Sequence, residues 1–358
     1  MNVSKNLVAS IYCNAEDALN FSQSQWDLLV RQARAANMLA RLCARFEDEQ
    51  LLDKIPQQIK RHFTSAKIAA EALKRSIRWE VHCICKALVD TDIPIVLLKG
   101  AAYTVGDLPA GLGRQFEDVD ILVPKEELDT VERKLMLHGW VTTHTDSYDQ
   151  RYYRQWMHEL PPMRHVQRQS SLDVHHNILP ETARLHPNPK KLFAKAVLID
   201  DNKPLYVLSK LDIVLHSAAH LFSDGELHNG FRDLTDLDLL LRDFGTDESF
   251  WRRLLNRARE MELSKPLFYA LRYTNRLLGT PVPGETMAQC QALRPGGVGL
   301  RFMDFLFEHG LQPDHPTCRK PLNGLARWLL YVRSHFLRMP LYLLIPHLIR
   351  KAVKKDKH

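Results

Sequence analysis

The chain has 358 residues, 45% of them hydrophobic and 25% charged, which is enough apolar material for a real core and excludes wholesale disorder. Its formal charge is +7, but from Arg319 to His358 ten Lys or Arg face a single Asp, leaving the rest of the chain at −2. The basic surplus belongs to the tail, so bulk charge does not mark the body as a nucleic-acid-binding protein.

Residues 1–90 read as a helical region. Trp26, Leu28, Leu29, Ala33, Ala36 and Leu39 keep a three-to-four-residue spacing, as do Ile68, Ala69, Leu73, Ile77 and Val81, with Pro56 separating two stretches. An α/β unit is expected over 91–204. It opens with the short, β-branched run IPIVLLKG, the profile of a buried strand ending in a glycine turn. FEDVDILVP alternates like a strand, and a helix through Leu128, Val131 and Leu135 should stop at Gly139 in a left-handed cap. Trp140–Thr143 reads as a strand, and ELPPMRHV with SLDVHHNIL reads as a hairpin. Helices return over 205–280, in LSKLDIVLHSAAHLF, LTDLDLLLRDF, SFWRRLLNRARE and PLFYALRYTNRLL. Residues 281–358 form a further helical region that begins with a loop over 281–299 and is broken at Pro340 and Pro346.

The six cysteines are scattered, and Cys83 and Cys85 lack the C-x-x-C spacing of a zinc or redox pair. Buried free thiols in a reducing compartment are expected. The N-terminus has no convincing signal peptide, and no uncharged apolar run reaches the roughly 18 residues of a spanning helix. A cytoplasmic protein is the expectation.

Asp118 and Asp120 carry the most chemical information. In a strand, residues two apart face the same side, so both carboxylates project together while Val119, Ile121 and Val123 enter the core. Two such charges repel unless a cation sits between them, and hard oxygen ligands suit Mg²⁺ with substrate phosphates. The bland alternative is a surface strand with two solvated aspartates. Upstream, Lys99-Gly100-Ala101 follows a strand, where backbone amides can approach a phosphate, and Arg114 stands four residues before Asp118. Downstream, Asp173, His175 and Asn177 share one face of a second strand. Pairing that strand with the first would set a third carboxylate beside the other two.

These features together resemble the nucleotidyltransferase superfamily of the DNA polymerase β type. More narrowly, they resemble an uncharacterised bacterial nucleotidyltransferase family with an LKG turn and an R-x3-D-[IV]-D-[IL]-L-V strand. The matching segments are VLLKGAAY (96–103), RQFEDVDILV (114–123), LDVHHNI (172–178), LHSAAHLF (215–222) and FRDLTDLDLLL (231–241). One departure is Ala101, where the superfamily turn usually has Gly or Ser.

The resemblance implies an α+β fold in which a small polymerase β-like sheet domain is flanked by helical regions, the 205–280 region lying on the substrate side. It implies transfer of an NMP from an NTP to a hydroxyl of an unidentified acceptor, with two Mg²⁺ ions and release of pyrophosphate. Asp118, Asp120 and Asp173 would be the catalytic metal ligands, and Lys99, Gly100, Ala101 and Arg114 would neutralise the phosphates. His175 is an accessory candidate, orienting Asp173, acting near the acceptor or simply packing. His216 and His220 have the i,i+4 spacing of zinc ligands, but Ser217 replaces the Glu of H-E-x-x-H and no third ligand is evident, so a zincin is not expected. They read as structural histidines or as a wall of the cleft. Arg232 and Asp236 make either a surface i,i+4 ion pair or a contact to base or acceptor, and Lys210 has a counterpart in toxin-type members.

The acceptor could be a sugar or polysaccharide precursor, a small molecule, a protein side chain or an RNA end. Rival function classes are a non-catalytic nucleotide-binding or interaction module and a toxin-like enzyme acting on tRNA. The apolar-basic tail reads first as a terminal helix packed on the core; the alternatives are peripheral contact with anionic membrane or with RNA phosphates. Nothing in the sequence fixes an oligomeric state.

Overall fold

The computed structural model describes residues 6–144, 146–200, 203–223, 225, 227–291, 296–340 and 342–344. Four helices open the chain: α1 (Leu7–Cys13), α2 (Gln23–Ala35), α3 (Leu39–Asp48) and α4 (Gln57–Ala87). A capping box between Ser22 and Gln25 starts α2, satisfying amides that have no partner within the helix, and Trp26, Leu29, Val30 and Ala33 form its buried face. With 31 residues, α4 is about 46 Å long. Its expected apolar stripe holds at Ile77 and Val81 but fails at Ile68, which is 64% exposed. The helix packs on α3 through Phe63 and Phe46 at one end, while Arg78 near the other reaches the Thr104 carbonyl and Asp107. Its middle bridges the two and needs no continuous stripe.

Among the described residues seven strands form one mixed sheet: β1 (Ile95–Leu97), β2 (Asp118–Leu122), β3 (Trp140–Thr142), β4 (Met163–His165), β5 (Ser171–His175), β6 (Val197–Asp200) and β7 (Leu205–Val207). Their order is β3-β4-β5-β2-β1-β7-β6. The β2/β5 and β1/β7 pairs are parallel, and the others antiparallel. The expected hairpin is β4–β5, with Met163 opposite Leu172. Between strands lie α5 (Lys99–Val105), α6 (Leu128–Leu137), α7 (Ser147–Trp156) and α8 (Pro189–Phe193). As expected, α6 ends at Gly139 with φ +96°.

Sequence patterning assigned nothing to α7, α8, β6 or β7. In α7 the physical reason is plain, since it buries no residue and has no apolar face to read; β6 is a short edge strand whose apolar Val197 and Leu198 stay exposed.

Seven further helices complete the described chain: α9 (Lys210–Ser223), α10 (Gly230–Phe244), α11 (Glu248–Glu260), α12 (Ser264–Leu278), α13 (Gly284–Gln291), α14 (Gly297–Gly310) and α15 (Asn323–Arg338). The loop expected over 281–299 is thus corrected: it contains α13 and the start of α14. Only Thr286 and Cys290 are buried on α13, too few to betray a helix beside the local Pro and Gly residues. The expected break at Pro346 and the basic cluster from Arg350 onward lie outside the described residues.

A continuous apolar core runs from Leu7 to Leu330 and includes residues of the sheet and of the helices before and after it. The fold is mixed α+β. All six cysteines are free, but Cys13 is exposed and Cys83 half-buried, so burial of thiols holds for the other four. Among the described residues no helix is long and apolar enough to cross a membrane.

Candidate active site

The centre of the sheet brings the three aspartates together. Parallel pairing of β2 with β5 sets Asp120 directly opposite Asp173, and Val119 opposite Leu172. Because side chains alternate along a strand, Asp118, Asp120 and Asp173 emerge on one face while Val119, Ile121, Leu172 and Val174 are buried on the other. Carboxylate oxygens of the three lie within 4.8 Å of one another.

So much negative charge at a partly buried spot perturbs each group differently. Burial, with repulsion from Asp120, pushes Asp173 up to about 7. Burial and the same neighbour also raise Asp118. Burial alone would raise Asp120 too, but Lys99 and His175 outweigh it and hold that carboxyl well below the usual range. Lys99 Nζ stands 3.6 Å from Asp120 Oδ1. Burial would lower the lysine, yet the surrounding carboxylates raise it, so it stays charged. Its backbone has φ +41°, an unfavourable left-handed value for a residue with a Cβ, at the point where β1 turns into α5.

His175 faces the carboxylates, as parity along β5 requires. Its Nε2 donates to Asp120 Oδ1 at 3.0 Å, since an ionised carboxylate can only accept. Its Nδ1 lies 3.2 Å from Glu159 Oε2. Glu159 and His158 follow α7, and a backbone bridge joins Glu159 to His175. The His158 ring packs 5.2 Å from that of His175. Burial, then His175 and Lys99, pushes His158 well below the usual histidine range. Neither His158 nor Glu159 was singled out in the sequence. The available signal was the hairpin itself: its first strand, extended backward, ends on Glu159.

The remaining candidates fall into two groups. His216 and His220 on α9 border the cluster: both act electrostatically on one another, Lys99 on His216 and His220 on Asp120. His216 is buried and, through that burial and Lys99, kept well below the usual range. Lys210, at the start of the same helix, lies over the Phe244 ring and lines a separate cavity of about 610 Å³ with Asp243 and Arg257. None of the three aspartates lines that cavity.

Gly100 and Arg114 belong to a buried charge network behind the turn. Arg114 Nε donates to Asp236 Oδ2 at 2.7 Å, and its guanidinium stacks near Tyr103 and Phe116. Arg41 of α3 pairs with the other Asp236 oxygen at 2.7 Å. Gly100 is required because a Cβ there would stand 2.2 Å from Arg114 Nη1. Ala101 is buried against the core. Of the two readings of Arg232 and Asp236, the surface pair does not hold: Asp236 is buried between two arginines, and Arg232 binds Asp233 at 2.8 Å and the Gln115 carbonyl at 2.7 Å. Arg232 thereby ties α10 to the segment entering β2. Arg41 was not legible in the sequence, because a charged residue on an amphipathic helix ordinarily marks the solvent side.

A cleft of about 830 Å³ lined by Arg242, Trp251 and Glu285 contains none of these residues, so chemistry rather than volume locates the site. The mixed sheet thus presents three convergent carboxylates beside a half-buried lysine. The chain belongs to the family described as uncharacterised nucleotidyltransferase, whose sequence profile matches residues 22–279. That span holds every candidate discussed above. No curated protein shows a significant match to the chain.

Proposed function

We propose that the protein is a Mg²⁺-dependent nucleotidyltransferase of polymerase β-like arrangement, moving an NMP from an NTP to a hydroxyl acceptor. The observation that carries this reading is the register that sets Asp173 beside Asp120, completing an all-oxygen trio with Asp118. The trio fits hard divalent cations: it offers only carboxylate oxygens, and two of its members are pushed up by burial and by the Asp120 charge. Bound there, Mg²⁺ would polarise the α-phosphoryl group and stabilise the attacking and leaving oxygens.

Asp118 and Asp120 would hold the nucleotide side and Asp173 the acceptor side. His175, donating to Asp120, fixes the orientation of that carboxylate. Lys99 supplies a permanent positive charge for the phosphates, and the amides of Gly100 and Ala101 lie in the first turn of α5, where backbone donors lack helical partners. Arg114 is engaged by Asp236 and serves the site by holding the turn; binding phosphate directly would require it to exchange partners. In the transfer, the acceptor oxygen bonds to the α-phosphorus, its proton passes to a carboxylate or solvent, and pyrophosphate leaves.

The test is incubation with each labelled NTP, Mg²⁺ and a cell lysate. A labelled small molecule, protein or RNA names the acceptor class, a labelled tRNA supporting the toxin-like reading. Asp118→Asn combined with Asp120→Asn should abolish Mg²⁺-dependent NTP binding while leaving the circular-dichroism spectrum unchanged. NTP affinity unaltered in that double variant sinks the assignment. NTP binding by wild type without label transfer from any NTP favours a non-catalytic binding module.

A further inference from the structure

We propose that His158, Glu159 and His175 form a second cation site, for a transition ion of the Zn²⁺ class, adjoining the acidic trio but separate from it. One nitrogen of each imidazole and one oxygen of Glu159 lie within 4.8 Å of one another. Both histidine Nδ1 atoms are sealed from solvent and make no hydrogen bond, a state that is costly for a buried polar atom unless something else engages it.

The tautomer of His175 sharpens the point. Its Nε2 must carry a proton to donate to Asp120. Its Nδ1 lies 3.2 Å from Glu159 Oε2, yet at an angle that makes no hydrogen bond. That ring nitrogen and the carboxylate oxygen thus face one another without completing a hydrogen bond, and a cation between them would engage both. Lying 5.2 Å from the His175 ring, His158 brings a second imidazole, which burial keeps neutral.

Two imidazoles and a carboxylate are a donor set for Zn²⁺ and similar ions, whereas the neighbouring all-oxygen trio is not. Asp120, behind His175, supplies the carboxylate-to-histidine hydrogen bond that orients metal-bound imidazoles. The fourth position is left to water or a substrate atom. An ion here fastens the segment leaving α7 to β5, two residues from Asp173. The proposal does not depend on nucleotidyl transfer.

The experiment uses the full chain carrying Cys13→Ser, to remove the exposed thiol, stripped with chelator and held in millimolar Mg²⁺ so that hard-oxygen sites are occupied. Titration with Co²⁺, followed by its visible absorption, should show one ion bound per chain and displaced by Zn²⁺. His158→Ala and Glu159→Gln should each weaken Co²⁺ binding at least tenfold, with Asp118→Asn leaving it unchanged. The near-isosteric Glu159→Gln decides the matter if circular dichroism shows that His158→Ala misfolds. Absence of stoichiometric Co²⁺ binding overturns the proposal. So does binding that survives Glu159→Gln, or that is lost in Asp118→Asn.

Discussion

Replacing Asp173 with Asn should stabilise the metal-free protein, and by an amount that depends on pH. In the fold, burial and the Asp120 charge move this carboxyl from its ordinary 3.8 to about 7. Each tenfold change in proton affinity corresponds to about 1.4 kcal/mol. Above pH 7, ionised Asp173 therefore costs the fold up to about 4 kcal/mol relative to the unfolded chain. Between pH 3.8 and 7 the native state holds the proton more tightly than the unfolded state does, so stability falls as pH rises through this window. Below it the penalty vanishes. The neutral amide removes the penalty while keeping the shape. In chelator, Asp173→Asn should melt several degrees above wild type at pH 8, and the gain should shrink steadily toward pH 4. Adding Mg²⁺ should stabilise wild type and leave the variant nearly unmoved. The assay is thermal unfolding followed by circular dichroism across that pH range, with and without Mg²⁺. A variant less stable than wild type at pH 8 in chelator, or a gain independent of pH, would falsify the electrostatic account of the trio.

Because metal must displace a proton from Asp173 below about pH 7, Mg²⁺ affinity should fall about tenfold between pH 8 and pH 6; calorimetry showing a flat profile removes the basis for that expectation. Gly100→Ala would place a Cβ 2.2 Å from Arg114 Nη1 and 2.8 Å from the Phe116 ring, with Arg114 pinned by Asp236, so a loss of about 1–3 kcal/mol is expected in urea unfolding. Asp236→Asn leaves the buried Arg41 and Arg114 without their shared counter-charge and should cost about 3–5 kcal/mol. A midpoint close to wild type would show that neither arginine needs Asp236.

Much of the site was legible from local pattern. Alternation in DVDIL and LDVH fixes which side of each strand the acids occupy, because a pleated backbone turns successive residues to opposite faces. The glycine at 139 and the β4–β5 hairpin followed from turn chemistry in the same way. What local pattern lacked was partner identity. Asp120 and Asp173 are 53 positions apart in sequence, and their side-by-side placement depends on a parallel register set by the packing of Val119 and Ile121 with Leu172 and Val174. Arg232 and Asp236 illustrate the converse. Their spacing favours an ion pair on an isolated helix, but burial of α10 against α3 and the turn offers Asp236 two arginines from distant segments, and the local pair is not made.

The sequence by itself therefore determined the strand faces, the acidic character of the site and the family resemblance, all of which follow from short-range periodicity and motif. Only the tertiary structure decided that Lys99 and His175 hold Asp120 ionised, that Arg114 is engaged behind the turn, and that His158 and Glu159 stand beside the trio. Those assignments depend on distances between groups far apart in the chain. The energies involved, desolvation and Coulomb attraction, exist only once the core has excluded water from around them.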